Sequence, residues 1–259
     1  MTARSLAPFD PDVVAPWALG QGRRGVLLIH GFAGTPPELR RLGIHLAARG
    51  FRCRAPTLAG HGTSPEELET TRWRDWISSA QAALDLLASE CDQVMVAGQS
   101  MGGTVALHLA ATDLRIRAVA TLAAPIWVRG WQLPLLPVIK RVVRWHRPGG
   151  DIDLFLPEAV EELHSYGVRS TRAIHEFMRL LAHVRDELAH VRQPVLVLHG
   201  RRDRTIDPRN AADICGRLVC SATVERHIYA RSGHALSVDV DREDVNTRVA
   251  AWFDKYSAP

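Results

Sequence analysis

Short apolar runs alternate with longer amphipathic segments over most of this chain, and that alternation constrains the fold more than any other feature. Runs that are short and apolar throughout suit strands buried on both faces, the condition of a parallel sheet covered by crossover helices. Val26 to Ile29, Phe51 to Ala55, Gln93 to Ala97, Ala118 to Leu122, Val195 to His199 and Thr223 to Tyr229 read as strands. Pro37 to Arg49, Trp73 to Leu87, Met101 to Ala111 and Arg242 to Tyr256 read as helices. Pro36 and Pro37 mark the mouth of the first helix, and Gly50 follows its end. The expectation is an α/β chain with a mostly parallel central sheet flanked by helices.

The rhythm fails between Pro125 and about His190, where no strand pattern occurs and the length exceeds a plain loop. This stretch holds Trp127, Trp131 and Trp145, with Pro134, Pro137 and Pro148. A helix is expected from about Arg172 to His190, with Ile174, Phe177, Leu181, Val184 and Leu188 on one face. We therefore expect a helical cap over residues 125–190, inserted into a core built from 1–124 and 191–259.

With 259 residues, 46% of them hydrophobic and 23% charged, the chain can bury one full core. No apolar run reaches the roughly 18 to 20 residues that span a bilayer, and Met1 to Val14 carries no signal-like apolar region. The cytoplasm is the expected compartment. Cys53, Cys91, Cys215 and Cys220 form neither a CxxC pair nor a metal spacing, so no disulfide and no metal site is expected. The net charge of +4 is dispersed, with basic residues alternating with acids, and no nucleic-acid partner is expected.

Gly98-Gln99-Ser100-Met101-Gly102 lies directly between the strand ending at Ala97 and the helix from Met101. A sharp strand-to-helix turn lifts the serine hydroxyl above the sheet beside the amides of a helix N-terminus. Serine needs a base to take its proton. His234 stands out among the 12 histidines because Ser232-Gly233-His234-Ala235 follows the last strand at the sheet's carboxyl edge. Asp203, four residues past His199, is the favoured third member, and Asp207 is its rival. Asp207 also fits the N-cap of the following helix, the role favoured for it, and Asp239 and Asp241 read as helix-entry residues. The order Ser100, Asp203, His234 differs from the chymotrypsin and subtilisin orders. An oxyanion needs two amide donors; these are expected from Met101 and from Phe32 in His30-Gly31-Phe32-Ala33-Gly34.

These residues, together with Gly60-His61-Gly62 and the stretch Ala182 to Leu188, resemble the α/β-hydrolase superfamily over about Gly25 to Phe253. Within it the chain resembles small bacterial carboxylesterases and monoacylglycerol lipases. The resemblance implies an α/β-hydrolase fold with a small helical cap after the sixth family strand, and an acyl-enzyme mechanism that uses no cofactor and no metal. It assigns His61 a structural role. Only about 24 residues precede the Val26 strand, so one or two leading strands should be missing or reduced. The expected substrates are short- to medium-chain acyl esters, monoacylglycerols among them. Thioester or peptide hydrolysis by the same triad stays open, as does a weakly catalytic ligand receptor on the same fold; the oligomeric state is open.

Between Pro125 and Gly150 stand Arg129, Lys140, Arg141, Arg144 and Arg147 with no acid, and Leu135, Val138, Ile139, Val142 and Val143 fall among them at helical spacing. The favoured reading packs the apolar side onto the core with the arginines in water. The alternative is a lid whose outer face makes weak contact with an anionic lipid surface.

Overall fold

The computed structural model describes residues 9–130, 135–147 and 153–257. Trp131, Pro134 and Pro148 of the expected cap, and the chain before Phe9, lie outside the described residues.

Seven strands form one sheet: β1 (Trp17–Leu19), β2 (Arg24–Ile29), β3 (Phe51–Ala55), β4 (Gln93–Gln99), β5 (Ile116–Leu122), β8 (Val195–Gly200) and β9 (Val224–Tyr229), the numbers β6 and β7 falling to a short pair in the insertion, Trp145–His146 and Arg169–Ser170. The order across the sheet is β1-β3-β2-β4-β5-β8-β9. All neighbours are parallel except β1, which runs antiparallel to β3. Among the described residues, the reduced N-terminal side expected from the sequence is a single leading strand of three residues.

Period-two alternation divides the core between the two faces of the sheet. Val26 and Leu28 of β2, with Met95 and Ala97 of β4, pack toward α2 (Arg40–Ala48) and α9 (Arg242–Tyr256), where Leu42, Leu46, Val249 and Phe253 lie. Leu27, Ile29, Val94 and Val96 face the other way. There they meet a layer that includes α4 (Trp73–Glu90), α5 (Met101–Thr112) and α7 (Thr171–Glu187), through residues such as Leu84, Val105 and Leu180. The remaining helices are α1 (Pro11–Val14), α3 (Pro65–Thr70), α6 (Leu136–Val142) and α8 (Arg209–Arg217).

Where the sequence reads one helix from Pro37, the chain makes a 3-10 turn over Pro36–Leu39 and only then enters α2. Pro37 disfavours the α conformation at Pro36, so the entry winds more tightly. The strandless reading of the insertion also needs correction, because β6 and β7 pair antiparallel over two residues each. The final helix of that segment forms as expected, with Phe177, Leu181 and Val184 buried on one face of α7.

The reading of α6 as apolar side inward does not hold. Only Leu136 of that helix is buried, while Val138 is 60% and Val142 82% exposed. The helix reaches α7 through Lys140, whose Nζ lies 2.9 Å from His175 Nδ1. Among the described residues, no helix is long and apolar enough to cross a membrane.

Candidate active site

Ser100 takes φ 54° and ψ −122°, a left-handed conformation that costs a non-glycine residue on the order of 1–3 kcal/mol. Two glycines make room for it. A Cβ at Gly98 would lie 2.2 Å from the Gly102 backbone, and one at Gly102 would lie 1.9 Å from the Ile29 oxygen. The Ser100 amide is held by Leu122 O at 2.7 Å, so the turn is pinned to the neighbouring strand β5.

The structure brings the three sequence-predicted side chains into one chain of hydrogen bonds. Ser100 Oγ is 2.9 Å from His234 Nε2, and His234 Nδ1 is 2.8 Å from Asp203 Oδ2. Asp203 is fully enclosed and saturated: Oδ2 also meets His199 Nε2 at 2.9 Å, and Oδ1 accepts the Thr205 and Ile206 amides at 2.9 and 2.7 Å. Burial opposes ionisation of Asp203, but the attraction of His234 and these hydrogen bonds outweighs it and holds the carboxyl well below its usual range. Burial likewise works against a charged His234, and the Asp203 carboxylate overrides it, raising the imidazole above its ordinary value. Such an arrangement can deprotonate a hydroxyl and stabilise the imidazolium that results.

The rival acid Asp207 is engaged elsewhere. It accepts the Arg209 amide at 2.9 Å at the entry to α8 and pairs with the Arg209 and Arg129 side chains. Asp241 stands at the N-cap of α9, the helix-entry place read from sequence, and Asp239 lies just before it; both side chains also secure the histidine loop. Asp239 accepts the Gly233 amide at 2.7 Å, and Asp241 binds the Ser232 hydroxyl at 2.8 Å and Arg231.

Met101 is the first residue of α5, where a helix amide has no intrahelical acceptor. Phe32 follows Gly31, and a Cβ on Gly31 would stand 3.3 Å from Ser100 Cβ. Both sequence-predicted amide donors therefore belong to residues beside the serine. The Phe32 ring stacks on Phe177 of α7 with centroids 5.1 Å apart, so the insertion lays apolar surface against the Phe32 loop.

Several residues escaped sequence reasoning. Gln99 Nε2 donates to His234 O at 2.7 Å. Asp153, from the insertion, accepts the Arg204 and Thr205 amides beside Asp203, and its backbone oxygen accepts the His234 amide at 3.2 Å. Glu38 accepts the Gly31 amide. These partners lie 7 to 135 positions apart, and no local motif marks them. His61 packs against His30, Phe32 and Trp76, and burial first, with His30 beside it, pushes its pKa down to about 3. That neutral, enclosed ring agrees with a structural role.

Among the described residues, His108, His183 and Glu187 form a group with metal-ligand side chains. Their atoms bind one another, with His108 Nδ1 at 2.6 Å and His183 Nε2 at 3.0 Å from the Glu187 carboxylate. The group clasps α5 to α7, away from Ser100.

The chain is similar to known proteins along most of its length. The family model described as serine aminopeptidase, S33 matches residues 20–241. A carboxylesterase of Bacillus subtilis (strain 168) is 28% identical over 243 residues, covering 93% of this chain and 96% of that protein. A thermostable monoacylglycerol lipase of Bacillus sp. (strain H-257) is also 28% identical, covering 93% and 95%. A solved structure from work on the metagenome-derived lipolytic enzymes LipS and LipT superposes with a TM-score of 0.88 at 27% identity, covering 93% of this chain and 98% of its own.

Proposed function

This chain belongs to the serine aminopeptidase S33 family, on an α/β-hydrolase fold, and from that premise we propose that it is a serine carboxylic-ester hydrolase that works through an acyl-enzyme. Ser100 Oγ attacks the acyl carbon while His234 takes its proton. The tetrahedral oxyanion is received by the Phe32 and Met101 amides. His234, held in register by Asp203, then protonates the leaving alcohol. Water repeats the sequence on the acyl-enzyme and frees the acid.

The observation that carries this reading is the unbroken Ser100–His234–Asp203 chain on a strained turn at a helix N-terminus. The relatives that match across the chain, named a carboxylesterase and a monoacylglycerol lipase, support esters as the substrate class.

Residues 125–190 act in this reading as a cap over the core. Phe177 stacks on Phe32 of the candidate oxyanion loop, an apolar pair that suits a short- to medium-chain acyl group, that of a monoacylglycerol included. The outer side of α6 exposes Val138 and Val142 with Arg141 beside them, a combination that suits weak contact with an anionic lipid surface.

Turnover of p-nitrophenyl esters of two to sixteen carbons, run beside an aminoacyl p-nitroanilide and an acyl thioester, tests the assignment. The expected profile peaks among short to medium esters. Faster cleavage of the anilide or the thioester would move the chain to peptide or thioester hydrolysis, and no turnover at all would favour a ligand receptor.

A further inference from the structure

Glu38 is a carboxylate only 8% exposed, set in the 3-10 turn that follows the Phe32 loop. A buried carboxylate is costly unless it is paired or hydrogen-bonded, and among the described residues no lysine or arginine forms an ion pair with it. Its partner is a backbone amide: Gly31 N–H donates to Oε1 at 2.5 Å. The loop curls around the other oxygen, so that a Cβ at Gly34 would stand 2.7 Å from Oε2.

The loop it fills is strained and is supported from outside by the insertion. Ala33 adopts φ 59°, a conformation that persists only where its surroundings over-determine it. On the outer side, Tyr166 N–H donates to Ala33 O at 3.1 Å and Thr35 Oγ1 donates to His164 O at 3.0 Å. On the inner side stands the Glu38 carboxylate. Gly31, the residue it grips, lies close enough to Ser100 that an added Cβ would stand 3.3 Å from the serine Cβ, and it immediately precedes Phe32.

We propose that Glu38 is a positioning residue, whose buried carboxylate holds the Gly31 amide so that the next amide, that of Phe32, stays directed at the oxyanion forming on the Ser100 adduct. The inference rests on the esterase reading above. An apolar side chain of similar size would fill the same space without the cost of burying a charge, but it would leave the Gly31 amide without an acceptor.

A second consequence separates this role from mere packing. Burial pushes Glu38 up to about 7, against the pull of the Gly31 amide and of His234. The part of Glu38 that is ionised near pH 7 in turn favours the imidazolium of His234, which feels Asp203 and Asp153 more strongly. Removing that charge while keeping the acceptor should lower the His234 pKa and move the acid limb of kcat/KM to lower pH.

The test compares the full chain with Glu38→Gln and Glu38→Ala, measuring kcat, KM, the pH profile of kcat/KM and inhibition by an alkyl trifluoromethyl ketone, which mimics the oxyanion. Glu38→Ala should lose at least tenfold in kcat and a similar factor in ketone affinity, with KM changed less than threefold. Glu38→Gln should stay within about threefold of wild-type kcat on its plateau, with the acid limb displaced downward. Equal kcat in Glu38→Ala and wild type, equal losses in both variants, or an unmoved acid limb in Glu38→Gln would each overturn the proposal. Should Glu38→Ala fail to fold, the Glu38→Gln profile decides alone. An inactive wild type would remove the esterase reading and this inference together, whereas an active wild type with an indifferent Glu38→Ala would remove the inference only.

Discussion

Helix α5, which begins at the candidate nucleophile, buries nine of its twelve residues, whereas α6 in the insertion buries one of seven. The first is wedged between the sheet and α7, and the Ser100 amide at its start is tied to β5. The second turns Val138 and Val142 toward solvent. The contrast separates two tasks. In the proposed reading, chemistry at Ser100 needs atoms held within tenths of an ångström, and close packing supplies that rigidity. Choice of acyl group needs only an apolar surface of suitable shape, which a loosely embedded segment can provide.

If that division is right, substitutions around α5 should act on kcat by orders of magnitude and substitutions in the insertion should act weakly and selectively. Ser100→Ala carries the largest expected effect, a loss of very roughly 10⁶ in kcat by analogy with other serine hydrolases. A loss below tenfold in a steady-state ester assay would remove Ser100 from its role.

Asp203→Asn comes next, with kcat expected to fall about 10⁴-fold because the imidazole loses its orienting acceptor. Asp207→Asn should change kcat by less than threefold, since its bonds go to the start of α8. The reverse ranking would exchange their roles. The same pair sharpens the pH dependence. His234 must be neutral to accept a proton, and its pKa lies above the ordinary 6.5. The protonated, inactive form therefore persists to higher pH, and kcat/KM should decline as pH falls through a midpoint above 6.5. In Asp203→Asn that midpoint should drop.

Phe177→Ala probes the insertion where it touches the site. It should raise KM about tenfold for eight-carbon esters, the loss of roughly 1.4 kcal/mol of apolar contact, and leave two-carbon esters within twofold. A uniform fall in kcat for every chain length would mean that α7 supports the chemistry itself. The smallest effect is expected from Val142→Glu. Unfolding free energy should move by less than about 0.5 kcal/mol because the side chain is in solvent, while co-sedimentation with phosphatidylglycerol vesicles at moderate salt should decrease. Absence of vesicle binding by the wild type would end the lipid-surface reading.

The same contrast explains what could be read from sequence. Gln93–Gln99 is buried along almost its whole length, and Phe51–Ala55 alternates buried with half-buried residues, two patterns that mark strands in sequence. The candidate triad residues follow from strand ends, because a parallel sheet sends its carboxyl edges to one side. Glu38, Asp153 and Asp239 were not legible, since each acts on a backbone amide brought near only by the curl of a loop. An acid on a loop carries no periodicity to separate it from a solvated one. The orientation of α6 failed for a related reason: apolar spacing gives a helix one greasy side but does not say whether protein lies against it.

Covalent trapping tests the central claim most directly. The full chain is treated with a fluorophosphonate, and the intact mass and proteolytic peptides are read by mass spectrometry. One phosphonyl group per chain is expected, on the peptide bearing Ser100, in step with loss of ester turnover and absent in Ser100→Ala. An unlabelled Ser100 in a chain that still cleaves esters, or stoichiometric label on another residue, would contradict the account.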